Sequence, residues 1–160
     1  MREITRPRGS ARAFIGGCTD GGGGQKGEGV MKKTILSILA VFFAWSVMDF
    51  VIHGVILKAS YEATAHLWRP MAEMKMGLMH VVVFIAASVF VLIYAWLIGG
   101  KSLARGLKYG LLYGLAAGVS MGYGSYSYMP ITYHIALVWF LGSLVEMTVA
   151  GLIVGAIIKE

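Results

Sequence analysis

Cysteine is nearly missing from this chain: Cys18 stands alone among 160 residues. A single thiol forms no intramolecular disulfide and supplies neither a CxxC redox pair nor a cysteine-based metal site. Charge is scarce too, at 14% of residues against about 25% in ordinary soluble domains. Histidine never recurs as HxxH, HxxxH or HExxH, so no compact metal motif is present. No serine–histidine–carboxylate order marks a membrane protease, and with so few polar groups the chain is not expected to be an enzyme. "GGKS" at 99–102 ends like a phosphate loop, but the first glycine of that motif would fall on Ala95, at the end of a long apolar run. No nucleotide site is expected. The net charge of +6 would suit a nucleic-acid partner, yet the basic residues flank apolar runs, where they act as membrane-topology signals. A nucleic-acid partner is therefore not expected either.

Apolar residues are what the chain has in excess, 58% against about 45–50% in soluble domains. They gather in runs near the ~20 residues that a bilayer-spanning helix needs. Four segments qualify: 35–57, 77–98, 107–122 and 135–158, the third being the shortest and least apolar. The expected fold is all-α, an integral membrane four-helix bundle over residues 31–160, with the lipid bilayer as its surroundings.

Residues 1–30 differ from the rest. They carry Arg2, Arg6, Arg8 and Arg12 and then "GGCTDGGGGQKGEG", and are expected to be a disordered leader. Ala13-Phe14-Ile15 is too short for the apolar region of a secretory signal. Met31 opens "MKKTILSILAVFFAW", which reads as a natural bacterial membrane-protein start, so the leader is read as a mis-assigned start.

Orientation follows from lysine and arginine in the short loops. Lys32, Lys33, Lys101, Arg105, Lys108 and Lys159 fall on one side, and Lys58, Arg69 and Lys75 on the other. Six against three predicts a multi-pass membrane protein with both termini cytoplasmic. Tyr61, Leu67 and Trp68 in the first outer loop read as anchors of a short interfacial helix. Pro70 suits the first turn of the second span, with Glu73 near that helix's positive end.

The third span holds Gly106, Gly110, Gly114, Gly118 and Gly122, a strict period of four. Residues four apart form one ridge of a helix, and in lipid small residues let backbones approach closely. The series predicts a glycine zipper. Gly151 and Gly155 on the fourth span offer a matching face; Ala86 and Ala87 on the second span, a second copy of the chain or a membrane-protein partner are the alternatives.

Ionisable residues within spans are costly and mark function. Asp49 and His53 lie one helical turn apart on the first span, and Glu146 lies on the fourth. The depths implied put His53, His80 and His134 at a similar outer level, Asp49 about 6 Å deeper than His53, and Glu146 deeper still. Three readings follow. In the leading one these groups specify packing in a non-enzymatic assembly protein without cofactor. In the second, Asp49, His53 and Glu146 serve a small proton- or cation-coupled transporter or channel. In the third, His53, His80 and His134 bind a metal ion or haem.

Through "WSVMDFVIHGVIL", "LWRPMAEMK" and "WFLGSLVEMTVAGLIVGAI" the chain resembles the small four-span bacterial inner-membrane proteins of unknown function. That resemblance implies the location and no chemistry. Small multidrug exporters also have four spans and a carboxylate in the first. Here the carboxylate lies late in the span and a long loop follows, so the likeness is an analogy.

Overall fold

The computed structural model describes residues 22–159. Among them no strand occurs, and most of these residues are helical. Helix α1 spans Gly22–Val51 and widens into a π-turn over Ile52–Ile56. A strap follows, made of the short helix α2 (Lys58–Ala63) and two 3₁₀ turns, Ala65–Leu67 and Met71–Glu73. Helices α3 (Met76–Leu97) and α4 (Leu103–Gly118) come next. α4 passes into a second π-turn, Val119–Gly124, and then α5 (Ser125–Tyr128), with helical backbone angles across both joints. α6 (Tyr133–Ile157) closes the chain.

Three stretches are long and apolar enough to cross a membrane: Gly27–Ile56, Met76–Leu97 and Tyr133–Ile157. The third expected span is not among them. Its α-helical part is only 16 residues before the backbone widens, and its many glycines lower its apolar content. Helix α1 begins at Gly22, inside the segment expected to be a disordered leader; residues 1–21, including Cys18, lie outside the described residues. α3 starts at Met76, not Pro70, and Glu73 sits in the preceding 3₁₀ turn.

Helix starts and turns follow from local chemistry. Ser102 caps α4 by accepting from the Arg105 amide, and Thr132 caps α6 by accepting from the Ile135 amide. Gly100, at φ +60, makes the α3–α4 turn, a conformation that costs glycine nothing. Within the long helices Thr34, Ser37, Ser46, Ser88 and Thr148 each donate to the carbonyl four residues back. Each hydroxyl thus finds its partner inside its own helix and asks nothing of the surroundings.

α4 and α6 lie closest together. Gly106, Gly110, Gly114, Gly118 and Gly122 are all buried, and all face α6. A Cβ on Gly118 would lie 2.7 Å from the Phe140 carbonyl oxygen; one on Gly110 would collide with the Met147 carbonyl. From the other side, Gly151 and Gly155 meet the α4 backbone as closely. No residue larger than glycine fits these positions without separating the helices.

Two apolar clusters fill the interior. One joins Val41, Trp45, Phe90, Tyr94, Ala150 and Val154 across α1, α3 and α6. The other joins Leu57, Ile131, Ile135 and Trp139 at the strap end. Along α1 and α6, Asp49, His53 and Glu146 fall between the two.

Candidate functional site

Asp49, His53 and Glu146 line one half-open cleft of about 290 Å³. α1 supplies Asp49 and its π-turn supplies Ile52 and His53. α6 supplies Trp139, Ser143 and Glu146, and the α4 side supplies Ala117 and Met121, the latter from the second π-turn. Both π-turns therefore open onto the same cleft, and such turns recur where side chains are re-aimed at functional sites. Gly142 lets α1 approach here: a Cβ on it would lie 2.9 Å from the Ile52 side chain.

The carboxyls of Asp49 and Glu146, expected at different depths, line the same cleft and interact with each other. Helix crossing and long side chains close the axial gap that residue counting along separate helices leaves. Carboxylates only accept, so a hydrogen bond between two carboxyls requires a proton on one of them. Glu146 Oε1 is fully buried and receives no N–H or O–H donor from the described residues. A proton held by the pair gives Glu146 Oε1 a hydrogen bond that it otherwise lacks among the described residues.

His53 extends the cluster outward. Its Nε2 lies 3.8 Å from Asp49 Oδ1, and its Nδ1 lies 2.6 Å from the Tyr61 hydroxyl. The His53 and Tyr61 rings are almost parallel, 5° apart, with centroids separated by 6.0 Å. Trp139 Nε1 also reaches the Tyr61 hydroxyl, at 2.8 Å. An indole N–H only donates, so Tyr61 oxygen accepts from Trp139 and its own proton is free to go to His53. His53 Nδ1 is then the acceptor, and the neutral ring carries its proton on Nε2, toward Asp49. This tautomer is assigned from the hydrogen-bond network.

Tyr61 sits on the strap, outside the membrane-length helices, against Trp68 and Trp139. Burial there pushes its phenol above the usual tyrosine range and keeps it protonated. The strap is held at further points. Ser60 Oγ pairs with His134 Nδ1 at 3.0 Å, Trp68 packs on Trp139 with ring centroids 6.1 Å apart, and Leu57 is fully buried.

The three histidines do not converge. His53 binds Tyr61, exposed His80 binds the Met76 carbonyl in its own helix, and exposed His134 binds Ser60. Among the described residues no three His, Cys, Asp or Glu side chains are placed to hold one metal ion.

Sequence reasoning reached Asp49, His53 and Glu146 but missed Tyr61 and Trp139 as members of the site. Tyr61 reads as an interface anchor and Trp139 as one more apolar residue, since nothing in their spacing marks a shared hydroxyl. Gly54, Gly122 and Gly124 within the π-turns were the one local signal that the helices loosen there.

Fold and site together define a class: an all-helical protein with three membrane-length helices and a half-buried polar cluster between two apolar ones. No protein-family model, curated protein or solved structure matches the chain.

Proposed function

We propose that this chain is a small, non-enzymatic, four-helix membrane protein, a transporter or channel that takes up, passes and releases protons at the Asp49–His53–Glu146 cluster. In this reading α1, α3, α4 and α6 all cross the bilayer. α4, too short and glycine-rich to qualify by itself, does so together with its π-turn and α5, locked to α6 as a glycine zipper. The bacterial inner membrane follows from the sequence resemblance, and the cytoplasmic termini from the distribution of lysine and arginine.

The observation that carries the reading is the meeting of two carboxyls and a histidine in one half-open cleft, with one Glu146 oxygen buried and without a donor among the described residues. Such carboxylate–histidine chains are the usual equipment of proton-coupled membrane proteins. A proton suits the cluster better than a metal cation, because no three ligating side chains converge on one point among the described residues. Self-assembly through the glycine ridge has less support, because the ridge already faces α6 of the same chain.

Reconstituted vesicles test it. With the membrane potential clamped, vesicles holding the protein should dissipate an imposed pH gradient faster than protein-free vesicles. Asp49→Asn and Glu146→Gln should each slow that rate by roughly tenfold or more, the effect of about 1.4 kcal/mol on the barrier. Equal rates with and without the wild-type protein would overturn the reading.

A further inference from the structure

We infer that Tyr61 is the residue through which protons enter the cluster, passing them to His53 from the strap side of the molecule. The inference rests on the proton-handling reading above, and it names the route and the entry end.

The geometry is directional. The Tyr61 hydroxyl accepts from Trp139 Nε1 at 2.8 Å and faces His53 Nδ1 at 2.6 Å. A phenolic oxygen has two lone pairs, so one acceptor position remains for water once Trp139 has taken the other. His53 Nε2, on the far side of the ring, faces Asp49, which meets Glu146. Tyr61 is the strap residue in this chain of contacts, and the strap beside it carries the exposed residues Lys58 and Glu62. Ionisable groups facing the route are Asp49 and His53 from α1 and its π-turn, Glu146 from α6 and Tyr61 from the strap. The α4 side of the cleft contributes only Ala117 and Met121.

One transfer balances as follows. A hydronium ion gives a proton to the Tyr61 oxygen as the phenol's own proton passes to His53 Nδ1. The imidazolium so formed releases its Nε2 proton to the Asp49 carboxylate. Water is left at the strap, the carboxyl pair has gained one proton, and the imidazole holds its remaining proton on Nδ1. That ring must recover its first tautomer before another proton can follow, so protons pass singly.

The role of Trp139 is positional. Its N–H occupies one Tyr61 lone pair and holds the hydroxyl at His53 Nδ1; with water on the other lone pair, the phenolic proton is the one directed to His53.

Two measurements test the inference. Nitrogen-15 NMR of histidine-labelled wild-type protein, with the His53 signals identified by their loss in His53→Gln, should show the Nε2–H tautomer; an Nδ1–H tautomer would overturn the route. Tyr61→Phe keeps the ring and its packing on Trp68 but removes the hydroxyl. In the vesicle assay it should slow gradient dissipation about tenfold, and the His53 signals should shift toward a mixture of tautomers. Wild-type flux with undiminished flux in Tyr61→Phe would overturn the entry role and leave the proton-handling reading standing. No wild-type flux would overturn both. The tautomer measurement uses the wild-type chain, so it decides the route even if the variant fails to fold.

Discussion

At the scale of single residues, donor and acceptor counting decides what the cluster can be. Tyr61 has its phenol pushed up by burial, so the folded state binds its proton more tightly than the unfolded chain does. The stabilisation this gives is whole below the unfolded tyrosine value of about 10. It is lost as pH rises from there through the higher folded value. Thermal stability in detergent should therefore fall as pH rises above about 10, and less steeply in Tyr61→Phe; equal slopes would place the alkaline sensitivity elsewhere. Trp139 tests the same hydroxyl from the other side. It is 8% exposed and donates to Tyr61. Trp139→Phe keeps an aromatic ring but loses the donor, and should cost about 0.5–1.5 kcal/mol for the hydrogen bond as well as some packing. Thermal denaturation by tryptophan fluorescence would measure it. None of this was legible from the sequence. Tyr61 and Trp139 are 78 residues apart, and a tyrosine in an outer loop has a sufficient ordinary explanation as an interface anchor. Asp49, His53 and Glu146 were legible for the opposite reason: an ionisable residue in an apolar run has no ordinary explanation.

Elements obey a simpler rule, because periodicity is local and survives folding. The five glycines of α4 repeat every four residues, and all five face α6. The pairing with Gly151 and Gly155 was one of several partners the sequence allowed, and the structure makes it the contact. What the pattern could not show is where α-helix gives way to π-turn, since one extra residue per turn leaves no periodic trace and the glycines there fit a regular helix as well. Both π-turns fall at the cleft, so the helices are irregular where the polar residues are. The glycine contact predicts a sharp contrast between two identical substitutions. Gly110→Ala puts a methyl group into the Met147 carbonyl and should destabilise the fold by about 1–3 kcal/mol or more, as overpacking does. Gly77→Ala, near the start of α3, meets nothing within 4 Å and should stay within about 0.5 kcal/mol of wild type. Comparing the two variants by thermal unfolding in the same detergent separates backbone approach from any general effect of adding alanine. Similar losses in both would refute the close-contact account.

Over the whole molecule, the helices run back and forth so that connections gather at two ends. Leu57, Tyr61, Leu67, Trp68, Met129 and Ile131 share one cluster, which puts the strap and the α5–α6 connection at the same end. At the other end Tyr94, near the close of α3, donates to the Ser102 carbonyl, and Ile158 packs in the cluster that holds Tyr94 and Ala95. Lys101, Arg105, Lys108 and Lys159 sit at or near this second end, so the basic bias of the sequence coincides with one end of the fold. In the reading proposed above, the positive-inside rule would make that end the cytoplasmic one, and the strap with Tyr61 would face outward. Protons entering through Tyr61 would then come from outside the cell, down the gradient that an energised inner membrane maintains. Site-directed labelling checks the orientation on which this direction depends. In a Cys18→Ser background, Glu62→Cys on the exposed face of α2 should react with a membrane-impermeant maleimide on intact spheroplasts, whereas Lys159→Cys should react only after lysis. The reverse pattern would invert the molecule and make Tyr61 an exit toward the cytoplasm, with the order of contacts from strap to Glu146 unchanged.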